Sequence, residues 1–156
     1  MPGNDDAMLR NNDAMLRNGD PSKKAAILIV EDNEIDFRIA EIMLKKVLGN
    51  IIIDWCQNGE EAFSYLYDLK SGLPDLILLD IDMPIMNGKE FLKLRSRNNS
   101  FRNIPVIVLS SSVWDNEKEE CLKLGAIDFI EKPLGVDAIT NTLKLYTFIR
   151  TNTDVN

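Results

Sequence analysis

The 156-residue sequence contains no histidine. Without an imidazole the chain cannot build a Ser-His or Cys-His nucleophile pair, and it lacks the commonest protein ligand for transition metals. Cysteine is scarce as well, with Cys56 in a predicted strand and Cys121 in a predicted helix. Isolated cysteines in such positions are more often small core residues than parts of a disulfide or a zinc site. We expect both to lie in the core.

Positive charge and long apolar runs are also in short supply. The chain has 18 lysines and arginines against 25 aspartates and glutamates, a net charge of −7. The basic residues form no cluster, which argues against a nucleic-acid partner. No stretch is as long as a membrane span, and the polar start Met1–Asp6 lacks the basic-then-apolar order of a secretory signal. We therefore expect a cytoplasmic protein that binds neither nucleic acid nor membrane.

The first 24 residues differ in character from the rest. The run Asp6–Asn11 recurs as Asp13–Asn18, and two such repeats are too few to form a stable coiled coil. We expect residues 1–24 to be a disordered tail, either native or left by recombinant expression. The remaining length suits one domain, predicted at 25–150, followed by a short C-terminal tail at 151–156.

Apolar runs and helical periodicity alternate along this domain. Strands are predicted at about 25–30, 51–56, 76–80, 105–109 and 126–130, and helices at about 35–48, 59–71, 88–97, 115–124 and 136–150. The periodicity places these residues on the apolar stripes of the first two helices: Ile35, Ile39, Ile42 and Met43, then Ala62, Phe63, Leu66 and Leu69. Five consecutive βα units with short connections predict an α/β fold, a doubly wound five-stranded parallel sheet with right-handed crossovers.

Polar side chains stand at the carboxyl ends of four predicted strands. Asp80 closes the apolar run at 76–79, Glu31 and Asp32 follow the first strand, Ser110 follows the fourth and Lys132 the fifth. Taken singly, each fits a helix cap, a polar loop or a solvated charge. The carboxyl ends of the strands in a doubly wound sheet gather at one edge, so we expect the five residues to converge there.

Such a group suits phosphoryl chemistry. Carboxylates brought together repel one another unless a cation joins them, and Mg²⁺ prefers oxygen ligands and binds phosphate oxygens. Asp32 and Asp80 are the candidates for direct ligands, with Glu31 acting directly or through water. A carboxylate can also accept a phosphoryl group while Mg²⁺ and an ammonium group neutralise the transferred charge. We predict Asp80 as the nucleophile, Lys132 as the ammonium and Ser110 as a hydroxyl that hydrogen-bonds the phosphoryl group.

Four segments, in order, resemble the receiver family of two-component response regulators, the CheY-like proteins, over about 25–149. Residues 27–33 are similar to the family's acidic-pair strand, and 80–84 with Gly88 to its phosphoacceptor segment. Residues 105–112 are similar to its Ser/Thr segment, and 132–133 to its lysine segment. The resemblance implies the strand order 2-1-3-4-5 and a cis peptide bond before Pro133.

The resemblance also implies roles for individual residues. Asp80 would accept phosphate from a partner's phosphohistidine, on a histidine kinase or a histidine phosphotransfer protein. The backbone carbonyl of Asp82 would join Glu31, Asp32 and Asp80 around Mg²⁺, and Ser110 and Phe129 would form a switch pair. Because no DNA-binding or catalytic domain follows residue 150, we expect a single-domain response regulator that assists its own phosphorylation and is no conventional enzyme. It would act either as a shuttle or sink in a phosphorelay or as an effector that docks to a downstream target protein when phosphorylated. Homodimer formation stays open.

Some positions depart from the commonest family pattern. The acidic pair is Glu31-Asp32 instead of two aspartates. Asp82 and Ser112 each lie two residues beyond a predicted site residue and flank the place of an attacking water, so we expect them to tune the lifetime of the phosphorylated state. The Asp82 side chain is expected at the mouth of the acid pocket. Trp114 is expected to be partly exposed near a docking face made by the fourth helix, fifth strand and fifth helix.

A second resemblance belongs to another class of protein. Asp80-Ile81-Asp82 after an apolar strand, with a later serine and lysine, also resembles the haloacid-dehalogenase phosphatases. Asp80 would then be a catalytic nucleophile and Asp82 a general acid. That family places its acidic metal pair after the lysine, whereas only Asp137 and Asp154 follow Lys132 here.

Overall fold

The computed structural model describes residues 24–68, 72–112 and 114–153, with side chains as far as 144. The five strands are β1 (Ala26–Val30), β2 (Ile52–Cys56), β3 (Leu76–Asp80), β4 (Val106–Ser110) and β5 (Asp128–Glu131). The helices are α1 (Glu34–Leu48), α2 (Gly59–Asp68), α3 (Gly88–Ser96), α4 (Asp115–Lys123) and α5 (Val136–Thr153). Strands and helices alternate throughout, as the sequence predicts.

The five strands form one parallel sheet in the order β2-β1-β3-β4-β5, which confirms the predicted fold and strand order. Strand β3 lies at the centre, and all five of its residues are buried. Asp80, its last residue, pairs in register with Leu109 of β4. The central strand therefore delivers a carboxylate to the middle of the carboxyl edge of the sheet.

Alternation along the strands divides the core into two layers. Helices α1 and α5 cover one face of the sheet, and α2, α3 and α4 cover the other. Buried strand residues of the first layer are Ile27, Ile29, Leu76, Leu78, Ile107, Leu109 and Ile130, and those of the second are Leu28, Val30, Cys56, Ile77, Leu79, Val106, Val108 and Phe129. Cys56 and Cys121 are free and buried, as predicted. Because helices cover both faces of the sheet, its carboxyl edge is where polar side chains from neighbouring strands can meet.

Helix α1 buries a different stripe from the predicted one. Of the predicted stripe, Ile35 and Ile42 are 71% and 58% exposed, whereas Ile39 is half-buried and Met43 is half-buried against the core. The buried residues are instead Phe37, Ala40, Leu44, Val47 and Leu48. The helix carries two apolar stripes of similar spacing, and Phe37 stacks on Trp55 of β2 with ring centroids 4.4 Å apart. This contact with a distant strand orients the helix, and helical periodicity alone cannot reveal it.

The predicted stripe of helix α2 lies on its buried face as far as the helix is described, to Asp68. Ala62 and Leu66 are buried and Phe63 is partly buried, while Leu69 and the remainder of the predicted helix to 71 lie outside the described residues. Helix α5 continues to Thr153, so the tail predicted at 151–156 begins inside the helix. Residues 1–23 and 154–156 lie outside the described residues. Within the described ranges, no helix combines the length and apolar character needed to cross a membrane.

A buried arginine that the sequence analysis missed fixes the loop before β4. Arg95 is 4% exposed. Its Nε and Nη2 donate hydrogen bonds of 3.1 and 2.7 Å to the carbonyl of Ile104, and Nη2 donates another of 2.9 Å to the carbonyl of Arg102. Burial lowers the pKa of this guanidinium. These bonds tie the end of α3 to the loop that leads into β4.

Candidate functional site

Three carboxylates meet at the carboxyl edge of the sheet. Oxygen atoms of Glu31, Asp32 and Asp80 all lie within 4.8 Å of one another. Glu31 and Asp80 are buried and Asp32 is exposed. Glu31 and Asp32 directly follow β1, and Asp80 ends the adjacent strand β3. The strand pairing thus produces the acidic cluster that the sequence predicts.

The tight connection after β3 depends on Gly88. The Gly88 N–H donates a 2.9 Å hydrogen bond to the carbonyl of Ile81. A Cβ atom at position 88 would overlap the Asp80 carbonyl oxygen and the Ile81 Cα. Asn87 and Glu90 then begin α3 with a capping box, in which each side chain accepts a hydrogen bond from the other residue's backbone. The backbone that carries Asp80 is therefore held closely against the start of α3.

Lys132 projects into the carboxylate cluster from the loop after β5. Its Nζ lies 3.1 Å from Asp80 Oδ1 and 2.5 Å from Glu31 Oε2. A third carboxylate, Asp36 of α1, contacts the same Nζ at 3.1 Å and was not predicted from the sequence. The bond between Lys132 and Pro133 is cis, as the family resemblance implies.

Burial and charge change the acidity of these groups. Burial raises the pKa of Glu31, and the hydrogen bond from Lys132 opposes the rise. Burial also raises the pKa of Asp80; Lys132 lowers it, and the charges of Asp32 and Asp82 add to the rise. Burial lowers the pKa of Lys132, but its carboxylate contacts outweigh this and raise it overall. Burial therefore makes the Glu31 and Asp80 carboxyl groups harder to ionise, and Lys132 opposes that effect at both.

This donor set fits a divalent cation. Three carboxylates, two of them buried, offer hard oxygen ligands of the kind that Mg²⁺ takes. Burial is the main cause of the raised pKa of Asp80, and a cation among the carboxylates would offset the repulsion that adds to it. Glu31, Asp32 and Asp80 are the residues that would hold it. The backbone carbonyl of Asp82, the fourth predicted ligand, stays a prediction.

Ser110 ends β4 beside Asp80 but bonds within its own loop. Its buried Oγ donates a 3.0 Å hydrogen bond to the carbonyl of Ser112 and accepts one of 3.3 Å from the Ser112 N–H. Ser112 Oγ in turn donates to Glu117 Oε2 at 3.4 Å. Lys89 of α3 contacts both Glu117 and Glu120 of α4, at 3.5 and 2.9 Å. The predicted switch hydroxyl is thus connected through polar groups to two surface helices.

The remaining predicted residues lie on β5, in the loop after β3 and at the start of α4. Phe129 is buried on β5, in register with Val108. The Asp82 side chain is exposed in the loop after β3, and its charge reaches Asp80. Trp114 is 72% exposed at the start of α4, which confirms the predicted exposure. Trp55, unremarked in the sequence analysis, donates from Nε1 to the carbonyl of Glu31 at 2.7 Å.

Comparison with known proteins agrees with this geometry. A family model described as the response regulator receiver domain matches residues 27–144. A protein-glutamate methylesterase/protein-glutamine glutaminase of Treponema pallidum is 37% identical over 115 residues, which are 72% of this chain and 27% of that protein. The chain therefore spans less than a third of the length of this relative.

Two solved structures share the fold. The phosphorylated cyanobacterial phytochrome response regulator RcpA is 28% identical with a TM-score of 0.67, covering 78% of this chain and 90% of that one. The Mn²⁺-bound form of response regulator Rcp1 is 26% identical with a TM-score of 0.65, covering 76% and 88%. The strand order and the acidic cluster at the carboxyl edge agree with the match to the family model. The chain therefore belongs to the response regulator receiver domain family.

Proposed function

We propose that this chain is the phosphoacceptor of a two-component or phosphorelay system, with Asp80 as the residue that takes the phosphoryl group. The observation that carries the proposal is the contact of Lys132 Nζ with Asp80 Oδ1, 3.1 Å, at the edge of a three-carboxylate cluster. An ammonium beside a buried carboxylate can neutralise the charge of an incoming phosphoryl group. The donor in this proposal is a phosphohistidine of a histidine kinase or histidine phosphotransfer protein. That histidine belongs to another protein, because this chain has none.

The transfer forms one bond and breaks one. A carboxylate oxygen of Asp80 attacks phosphorus while the bond from phosphorus to the donor's imidazole nitrogen breaks. The nitrogen leaves with the electron pair and Asp80 becomes an acyl phosphate. Glu31, Asp32 and Asp80 are the residues that would hold Mg²⁺, which would supply positive charge for the phosphoryl oxygens. Lys132 neutralises further charge, and the burial of Asp80 limits the access of water.

The signal follows from a change of hydrogen-bond partner. A phosphoryl group adds about −1.5 to −2 units of charge. Ser110 is the hydroxyl that turns to it, leaving its bond to the Ser112 carbonyl, and buried Phe129 repacks with it as the switch partner. Ser112 also contacts Glu117, so the change reaches α4. Asp82 and Ser112, near the phosphoryl site, tune the lifetime of the phosphorylated state.

The output is docking to a downstream protein in the cytoplasm. We place the docking face on α4, β5 and α5, because Trp114 is exposed at the start of α4 and the Ser110–Ser112–Glu117 contacts lead there. In this proposal the chain acts as a single-domain response regulator. The phosphatase alternative has Asp82 as its general acid, and the receiver-family match over residues 27–144 favours the signalling function instead.

Labelling with a small phosphodonor tests the proposal. Incubated with Mg²⁺ and acetyl phosphate, the protein should gain one hydroxylamine-labile phosphoryl group, read as intact mass. Asp80→Asn should gain none. A wild-type protein that stays unmodified, or an Asp80→Asn variant that is labelled equally, would overturn the proposal. Multiple turnover of ordinary phosphate monoesters would favour the phosphatase alternative.

A further inference from the structure

We propose that Asp36 is a positioning residue for phosphoryl transfer, holding the Lys132 ammonium where the phosphoryl group arrives. The inference rests on the proposed function, because it takes Asp80 as the residue that accepts the phosphoryl group. The Lys132 ammonium has as many carboxylate contacts as it has N–H bonds. An ammonium has three N–H bonds, and three carboxylates contact Lys132 Nζ: Glu31, Asp80 and Asp36.

Asp36 differs from the other two acceptors in what else it touches. Glu31 and Asp80 belong to the three-carboxylate cluster that would hold a cation. Asp36 is outside that cluster. When the cluster carboxylates engage a cation or a phosphoryl group, Asp36 remains as the acceptor reserved for the lysine. The flexible lysine side chain then keeps one fixed contact.

Asp36 is itself held in place by the start of α1. Its backbone N–H donates a 3.1 Å hydrogen bond to Asn33 Oδ1, and the Asn33 N–H donates one of 3.0 Å to Glu31 Oε1. Lys132 Nζ then joins Asp36 Oδ2 at 3.1 Å and Glu31 Oε2 at 2.5 Å. These four contacts form a closed ring through Glu31, Asn33, Asp36 and Lys132. The ring links the helix cap to the position of the ammonium.

A competing explanation is that Asp36 serves only the helix. Acidic residues in a first turn stabilise a helix through its dipole, and Glu34 is another one in the same turn. Glu34 contacts Arg38 at 3.8 Å, and its side chain is 68% exposed. Glu34→Gln therefore removes the same charge from the same turn without touching Lys132. It is the matched control for Asp36→Asn.

The experiment measures the rate of phosphorylation by acetyl phosphate with saturating Mg²⁺ in 1 M salt, where the Debye length is about 3 Å and long-range effects of the lost charge are screened. Asp36→Asn should slow the transfer by about fivefold or more, because a loosely placed catalytic group loses rate steeply. Glu34→Gln should stay within about twofold of wild type. Asp36→Glu, which keeps the carboxylate, should recover part of the lost rate. Thermal unfolding of each variant reports folding.

A double-mutant cycle separates positioning from a general structural effect. If Asp36 acts through the lysine, Asp36→Asn should cause no further loss in a Lys132→Ala background. An additional fivefold loss in that background, or a wild-type rate for Asp36→Asn, would overturn the role of Asp36. Failure of the wild-type protein to become phosphorylated would instead overturn the proposed function.

Discussion

The indole Nε1 of Trp55 donates a hydrogen bond of 2.7 Å to the backbone carbonyl of Glu31. The same indole stacks on Phe37 of α1 with an interplanar angle of 4°. Trp55 thus joins the edge strand β2, the helix α1 and the backbone of an acid-cluster residue. A tryptophan in this position is part of the support for the site.

Trp55→Phe should therefore reduce the free energy of unfolding by about 1–2 kcal/mol, because the Glu31 carbonyl loses its partner while an aromatic ring remains to stack. Urea denaturation followed by circular dichroism measures the change. Trp114→Phe is the matched control, since its ring is 72% exposed, and it should change the free energy of unfolding by less than about 0.5 kcal/mol. Equal losses in the two variants would show that the hydrogen bond contributes nothing.

Phosphorylation should change the fluorescence of Trp114. The indole stands at the start of α4, next to the loop that holds the Ser110–Ser112 hydrogen bond. Emission spectra before and after acetyl phosphate treatment test this. The spectrum of Trp114→Phe gives the emission of Trp55 alone, because this variant leaves the contact of Trp55 with Glu31 intact. Ser110→Ala should weaken the response. The same spectral change in Trp114→Phe would assign the signal to Trp55 instead.

Asp82→Asn should be phosphorylated by acetyl phosphate several-fold faster than wild type at low ionic strength. The exposed carboxylate raises the pKa of Asp80 through its charge, so it also repels an anionic donor. Such repulsion is worth about 1 kcal/mol near a surface and shrinks as salt is added. Thermal stability should change little, because the side chain packs in no core. Equal rates would make Asp82 a solvated loop residue, and a slower variant would indicate that its carboxylate helps to hold Mg²⁺.

Gly88→Ala should destabilise the protein by about 1–3 kcal/mol, the range found when atoms are forced into a packed site. The added methyl meets the backbone of Asp80 and Ile81, which cannot move without displacing the phosphoacceptor. Phosphorylation should slow as well. Gly135→Ala, whose added Cβ meets nothing within 4 Å, is the control and should cost less than about 1 kcal/mol at this position before α5. Denaturation curves measure the free energy of unfolding of both variants. A Gly88→Ala variant as stable as the Gly135→Ala control would contradict the close approach of residue 88 to the backbone of Asp80 and Ile81.

Sequence alone was sufficient where local pattern decides structure. The buried run ending in Asp80 identifies a central strand, and the rule that parallel strands share a carboxyl edge brings Asp80, Glu31, Asp32 and Lys132 together. Both arguments need only short stretches of chain. The strand order came from the family resemblance.

Contacts between distant segments account for what the sequence did not predict. In the sequence, Asp36 is an ordinary acidic residue in the first turn of a helix. Only the fold brings it into contact with Lys132, which lies 96 residues away along the chain. The buried stripe of α1 depends on Phe37 meeting Trp55, and the role of Arg95 depends on carbonyl groups of a later loop. None of these pairings leaves a local periodic signal.

Chemical identification of residue 80 after phosphorylation tests the central claim most directly. Borohydride reduces an acyl phosphate to the alcohol, so a phosphorylated aspartate becomes homoserine. Protein treated with acetyl phosphate and Mg²⁺, then reduced, digested and sequenced by mass spectrometry, should show homoserine at position 80 and unmodified aspartate at positions 32 and 82. Aspartate at position 80 in fully phosphorylated protein, with homoserine at another position, would contradict the assignment of Asp80 as the phosphoacceptor.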